Sequence, residues 1–169
     1  MINLIWAEAA NGVIGQNGMM PWHSHEDMVH FRQLTMGHPV LMGWNTFKSL
    51  GSKPLPNRKN LILTHRKSLP GDVTPVSLQD IQRLAGHSSD ELFVIGGASV
   101  YRQLLPFATQ LYRTVIKGSY SGETKMPPIN YDQWQLVDSK TVVAQKSEEP
   151  DCTFQLWQRL NEEKNWKIN

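Results

Sequence analysis

The sequence predicts an α/β fold, a mostly parallel sheet with an antiparallel edge and helices packed around it. Short apolar runs of strand length alternate with segments of helical spacing, the pattern of parallel strands joined by helical crossovers. The last two runs, Trp134 to Thr141 and Thr153 to Arg159, have no helix between them and read as a hairpin-like antiparallel pair. Length agrees: 169 residues, 40% hydrophobic and 19% charged, make one domain with a sizeable core. That domain spans residues 1–169, and the polar stretch Asn161 to Asn169 is expected to fray.

Each element has its own signal. Ile2 to Ala7 is a short apolar strand leading to the turn-forming pair Asn11-Gly12, with a second turn at Asn17-Gly18. Three glycines from Gly12 to Gly18 predict a mobile loop with close backbone approaches. Met28, Phe31 and Leu34 recur at helical spacing within Ser24 to Leu34. Pro39 to Gly43 is a buried strand, followed by a short helix near Asn45 to Leu50 and the stiff loop Lys53-Pro54-Leu55-Pro56-Asn57. Strands follow at Asn60 to Thr64 and Val73 to Val76, then a helix from Ser77 to Ala85. Glu91 to Ile95 is a strand that stops at Gly96-Gly97, a helix runs from about Ser99 to Leu105, and Leu111 to Ile116 is a strand.

Composition excludes several functions. Lys+Arg 17 against Asp+Glu 15 gives a net charge of +2 with no basic stripe, which argues against nucleic acid as the partner. The longest apolar runs, such as Leu92 to Ile95, are far too short to cross a membrane. Met1-Ile2-Asn3-Leu4 carries no basic leader, and the single Cys152 fits a reducing cytosol, so a cytoplasmic protein is expected. No Cys-x-x-Cys, His-Glu-x-x-His, Gly-x-Ser-x-Gly or Walker loop occurs. His23, His25, Asp27 and His30 lie close in sequence, but imidazoles at i, i+2 point to different sides of a helix, and no metal is expected.

Three places invite chemistry, each with a plainer reading beside it. Ser24-x-x-Asp27 fits a capping box, in which Asp27 satisfies an orphan backbone N–H. Asp27 also lies at i, i+4 from Phe31, where a carboxylate near the core wants a cationic or amidine-like partner. Arg58 beside a stiff Pro-x-Pro loop is either a solvated charge or a planar fork for a carboxylate ligand. Ile95-Gly96-Gly97-Ala98 is either a tight turn or a strand-to-helix junction where a phosphate meets backbone N–H groups.

The run Ile14-Gly15 to Met20-Pro21-Trp22, then Asp27 and Phe31-Arg32, strongly resembles dihydrofolate reductase. Met42-Gly43-x-x-Thr46, Pro54-Leu55-Pro56-Asn57-Arg58, Val94-Ile95-Gly96-Gly97 and Gly122-Glu123-Thr124 keep that family's order and approximate spacing. The likeness covers Ile2 to about Arg159. Leu4-Ile5-Trp6-Ala7 and Thr124-Lys125-Met126 are most similar to the enzymes of Gram-positive bacteria.

The resemblance implies a monomeric single-domain fold with an eight-stranded, mostly parallel sheet and an antiparallel C-terminal edge strand. It implies NADPH-dependent reduction of 7,8-dihydrofolate to tetrahydrofolate, feeding one-carbon metabolism, and inhibition by antifolates. By the same resemblance Asp27 is the ionisable group beside the pterin, Trp22 and Thr114 hold its network, and Met20 belongs to a lid from Gly15 to Met20. Ile5, Met28, Phe31, Leu50, Leu55 and Ile95 would sandwich the substrate rings, while Arg58 clamps the glutamate tail with Arg32 and Lys53 nearby. For the cofactor, Ala7, Ile14, Gly15, Gly18 and Met20 would meet the nicotinamide end. Gly43, Trp44, Asn45 and Thr46 would add contacts at a helix start. Leu63, Thr64, His65 and Arg66 would surround the 2′-phosphate side. Gly96, Gly97, Ala98, Ser99, Val100, Tyr101 and Gln103 would cradle the pyrophosphate.

One position departs from the pattern. The family usually places Arg or Lys directly after Gly43, where this chain has Trp44. An indole cannot supply that charge; it either stacks on adenine or leaves the charge to Arg66 or His65. A reductase of the same fold acting on another heterocycle, and a binding module without turnover, are the competing functional classes.

Overall fold

Ile2–Ala9 forms the first strand, β1, and its alternation sends successive residues to different parts of the interior. Ile2, Leu4 and Trp6 join one hydrophobic cluster, Ile5 a second and Ala9 a third. The computed structural model describes residues 1–15, 19–87 and 89–161. After β1 come β2 (Val13–Gly15), α1 (His25–Thr35), β3 (Val40–Gly43), α2 (Trp44–Ser49), β4 (Asn60–Leu63) and β5 (Thr74–Val76). The rest is α3 (Leu78–His87), β6 (Leu92–Gly96), α4 (Ala98–Leu104), β7 (Gln110–Ile116), β8 (Thr124–Lys125), β9 (Trp134–Val142) and β10 (Cys152–Arg159). Single 3-10 turns follow α4, at Leu105–Phe107, and precede β9, at Tyr131–Gln133.

Eight strands form one sheet in the order β5-β4-β3-β6-β1-β7-β10-β9. All pairings from β5 to β7 are parallel, and β10 is antiparallel to both β7 and β9. The antiparallel edge is therefore the C-terminal pair, with β10 inserted between β7 and the outermost strand β9. No helix among the described residues is long and apolar enough to cross a membrane.

A register row connects the carboxyl ends of the parallel strands. Gly43 of β3 pairs with Leu63 of β4, Leu63 pairs with Val76 of β5, and Met42 pairs with Gly96 of β6. Helices begin at or just beyond three of these ends: α2 after Gly43, α3 after Val76 and α4 after Gly96. The carboxyl ends of parallel strands are where open α/β sheets collect ligands. α2, at six residues, is too short to persist alone; its Phe47, 0% exposed in the cluster with Ile5 and Met42, ties it down.

α1 starts where Ser24 Oγ accepts the Asp27 backbone N–H at 3.1 Å, with Glu26 and Asp27 in the positive first turn. Asp27, Phe31 and Thr35 share one stripe at i, i+4, i+8, and Asp27 and Thr35 are its buried polar members. Elsewhere Glu8 of β1 is buried and accepts two bonds through Oε1, from Arg113 Nε at 2.6 Å and Trp6 Nε1 at 3.1 Å. This pair ties β1 to β7 beyond their ladder.

The expected loop from Gly12 to Gly18 is corrected in its first half: Val13–Gly15 is the strand β2, paired antiparallel with β8 in a separate two-stranded ribbon. Val13 is 2% exposed, and Gly122 permits the close fold-back. A Cβ on Gly122 would lie 2.4 Å from both the Gly15 carbonyl oxygen and Val13 Cγ1. Residues 16–18, including Gly18, lie outside the described residues.

Candidate active site

A single cleft of about 1230 Å³ runs over the register row and along the stripe of α1. One end is built by β1, α1 and the loop before β4. Asp27, Phe31 and Met28 come from α1, Ile5 from β1, Ile95 from β6, Leu50 from the end of α2 and Leu55 from the stiff loop; all line the wall with Arg32 and Arg58.

Asp27 is 9% exposed, and burial pushes its carboxyl pKa above the usual carboxylate value, while a hydrogen bond from the Thr114 side chain pulls it back down. The capping box forms in one direction: Ser24 Oγ accepts the Asp27 backbone N–H, while the Asp27 carboxylate, assigned by that reading to an orphan N–H, lines the cleft and takes a hydrogen bond from Thr114.

Arg58 is aimed by its neighbours. Nη1 donates to Thr35 Oγ1 at 2.9 Å and Nε to the Pro56 carbonyl at 3.0 Å. Burial and the positive charge of Arg32 lower its pKa below the ordinary guanidinium value. Two cations that feel one another on an apolar wall form a receptor for an anion. Asn60 stiffens the loop: its Oδ1 accepts the Leu55 N–H at 2.9 Å and its Nδ2 donates to the carbonyls of Leu55 and Arg58 at 2.9 and 2.8 Å.

The other end is lined by glycine-rich junctions. Gly43, Trp44, Asn45 and Thr46 start α2, and Gly96, Gly97, Ala98, Ser99, Val100, Tyr101 and Gln103 run from β6 into α4. Neither Gly43 nor Gly97, the residues before α2 and α4, offers a side-chain cap, so first-turn N–H groups are available to an anion. A Cβ on Gly43 would lie 3.0 Å from Val100 Cγ2, so a larger residue there would crowd the α4 junction. Tyr101 OH donates to the Ile5 carbonyl at 2.7 Å, which locks α4 to β1, and its burial drives the phenol pKa up. Leu63, Thr64 and His65 close the far side; Ala7, Ile14, Gly15 and Met20 close the near side. These surfaces fit a long dinucleotide, with apolar walls at one end and backbone donors in the middle.

A family model described as dihydrofolate reductase matches residues 1–159. The chain belongs to the dihydrofolate reductase family. It is 36% identical over 166 residues to the dihydrofolate reductase of Bacillus subtilis, covering 97% of this chain and 98% of that one. To the Staphylococcus aureus protein it is 35% identical, covering 82% and 85%, and to that of Haemophilus influenzae 36%, covering 90% and 94%. A solved structure, dihydrofolate reductase from Enterococcus faecalis complexed with NADP(H) and RAB-propyl, superposes with a TM-score of 0.89 at 29% identity, covering 95% of this chain and 97% of that one. The chain is thus similar to the family's Gram-positive bacterial members.

Four residues expected in the dihydrofolate reductase site lie off the cleft wall. Thr114 sits behind it on β7, reaching the cleft through its bond to Asp27. Trp22 is 8% exposed, with its ring edge against Tyr120 at 5.5 Å between centroids and its Nε1 without a protein partner. Lys53 is exposed, turned to solvent beside the Pro54 loop. Arg66 lies over Trp44. The histidines near Asp27 diverge: His23 Nδ1 meets Glu149 Oε1 at 2.5 Å, and His30 stacks on Phe154 at 3.9 Å between centroids.

Met19, inside the expected lid, also lines the wall, and the sequence reading missed Trp6, Ser49, Val76, Ser77, Leu78 and Thr124 there. Val76 to Leu78 were findable, because they follow the carboxyl end of a parallel strand. Thr124 was findable from its pairing with Gly15 only after β2 is recognised.

Proposed function

We propose that the chain catalyses NADPH-dependent reduction of 7,8-dihydrofolate to 5,6,7,8-tetrahydrofolate. The observation that carries this is the stripe of α1. It presents the buried carboxylate of Asp27 at one end and, eight residues on, Thr35 holding Arg58 at the other. Two helical turns and more separate them, roughly 12 Å along the axis. A ligand with a basic heterocyclic edge, an aromatic middle and a carboxylate tail matches that order, and Phe31, Ile5, Leu50 and Leu55 supply the apolar middle.

NADPH, when bound, supplies a hydride from its nicotinamide ring. Ala7, Ile14, Gly15 and Met20 would hold that ring against the substrate end, and the junctions at Gly43 to Thr46 and Gly96 to Gln103 would hold the pyrophosphate. Asp27 would accept the pterin amino and N3–H donors, and its negative charge would favour a proton at the pterin N5. Thr114 would keep the carboxylate oriented, and the buried Trp22 N–H, which has no protein partner, would hold a water beside it. Met20 and its neighbours would close the cleft and exclude bulk water. The reading includes a cytosolic monomer; the single cysteine, Cys152, is free and buried, which fits a reducing compartment.

The test is the loss of NADPH absorbance by the purified chain with and without dihydrofolate. Turnover only when both are present, blocked by a diaminopteridine, is the expected result. Tight binding of both without turnover would refute it.

A further inference from the structure

The loop between β9 and β10 buries one acidic residue and exposes the residues before it. Residues 145–148 are all exposed, whereas Glu149 is 9% exposed. A buried carboxylate is costly unless its oxygens find partners. Glu149 Oε2 has no protein partner, and Oε1 meets two groups at one place: the His25 backbone N–H at 3.2 Å and His23 Nδ1 at 2.5 Å. His25 is the first residue of α1, so its N–H has no acceptor within the helix.

The helix answers in the other direction. Glu26 Oε1 accepts the Gln145 backbone N–H at 3.0 Å. Loop and helix thus exchange carboxylate for backbone N–H both ways, a reciprocal cap between partners 119 and 124 residues apart. The loop is braced from behind. The Ala144 N–H donates to Asp151 Oδ1 at 2.8 Å, the Glu149 N–H to the Lys146 carbonyl at 3.1 Å, and the Lys117 N–H, just past β7, to the Asp151 carbonyl at 2.9 Å.

Asp27 follows His25 by two residues, and its carboxylate takes a hydrogen bond from Thr114 of β7. α1 is therefore tied to one side of the sheet at two points, by Asp27 on β7 and by its first turn on the β9–β10 loop. A single tie would let the helix pivot about it; the second fixes the direction in which the carboxylate faces the cleft.

We propose that Glu149 is a positioning residue for Asp27: by accepting the His25 N–H it seats the first turn of α1 on the β9–β10 loop and so aims the carboxylate at the basic edge of the substrate ring. The inference rests on Asp27 meeting that edge, as proposed above.

The experiment follows single-turnover hydride transfer to dihydrofolate in the intact chain preloaded with NADPH, with Kd for NADPH measured alongside and folding checked by thermal melting. Glu149→Ala is expected to slow hydride transfer about five- to tenfold while moving the NADPH Kd less than about twofold. Glu149→Gln, whose amide oxygen still accepts the His25 N–H, is expected to keep most of the rate. His23→Ala is expected to change it less than about twofold, because the His23 side chain is 70% exposed. In an Asp27→Asn background, Glu149→Ala should add little further loss, since the group it aims is gone. Glu149→Met, similar in length but without an oxygen, carries the same expectation as Glu149→Ala should that variant not fold. A full rate in Glu149→Ala would overturn the proposal. So would an equal loss in NADPH affinity, an undiminished effect on top of Asp27→Asn, or a His23→Ala loss as large as that of Glu149→Ala. Absence of hydride transfer in the intact chain would instead refute the reductase reading, and this inference with it.

Discussion

Arg58 and Thr35 are joined by a 2.9 Å hydrogen bond from Nη1 to Oγ1, and Thr35 in turn donates to the Phe31 carbonyl at 2.8 Å. The guanidinium of a loop is thereby referenced to the backbone of the helix that carries Asp27. Replacing Arg58 by Leu should weaken dihydrofolate by roughly a hundredfold and leave a tail-less pterin nearly unaffected. Thr35→Val should cost a smaller, few-fold loss for the same ligand. Titrations of both ligands against both variants check this, and equal losses for the two ligands would remove Arg58 from the tail site.

Asp27→Asn should cut hydride transfer at neutral pH, with partial recovery as the pH falls and solution supplies the proton. Stability should move the other way. Burial raises the folded pKa of Asp27, so its contribution is most favourable below the unfolded value and is lost as pH rises through the folded one. The neutral amide escapes that cost. Asp27→Asn should therefore melt higher than the parent at pH 7, by about 1 kcal/mol in stability, with the advantage fading in acid. Calorimetry without ligands across that range is the measurement.

Gly122→Ala tests the ribbon of β2 and β8. Its Cβ would meet a backbone oxygen at 2.4 Å, a contact that a side-chain rotation cannot relieve. The ribbon must separate near Gly15, which lines the cofactor end of the cleft. We expect a loss of about 1–3 kcal/mol in stability and a higher KM for NADPH. An unchanged KM would mean the ribbon does not govern that wall.

Glu8→Ala should destabilise by about 2–4 kcal/mol, because it strands the partly buried Arg113 and leaves Trp6 Nε1 without its acceptor. Removing both charges, as Glu8→Leu with Arg113→Leu, should recover much of the loss. Urea unfolding of the single and double variants checks the coupling.

Most of the sheet was legible because its central parallel strands β3, β4 and β6 are nearly continuous apolar runs ended by a turn. β2 and β8 were not: a strand of three residues and one of two carry no period, and their pairing depends on the approach allowed at Gly122. The site separated in the same way. Asp27 stood out as a carboxylate on an apolar stripe, and the glycine pairs marked the cradle. The structural partners did not stand out. Thr35 and Glu8 are reached by Arg58 and Arg113 from far along the chain, and Asn60 knits its own loop together, and nothing in local spacing distinguishes them from ordinary polar positions. Lys53, placed near the tail site by the family resemblance, is exposed and lies off the cleft wall.

The placement of β1 has a consequence for biosynthesis. β1, Ile2–Ala9, is flanked by β6 and β7, whose residues run from Leu92 to Ile116. During synthesis this apolar strand therefore has no sheet neighbour until β6 is made and only one until β7 follows. Contacts this distant in sequence make for slow folding and an exposed early intermediate. β10 then slides between β7 and β9, both made before it, so the sheet closes only after them. The cleft needs both flanks of β1, and the chain therefore gains its ligand-binding surface only after β7 is in place, with an apolar strand exposed until then.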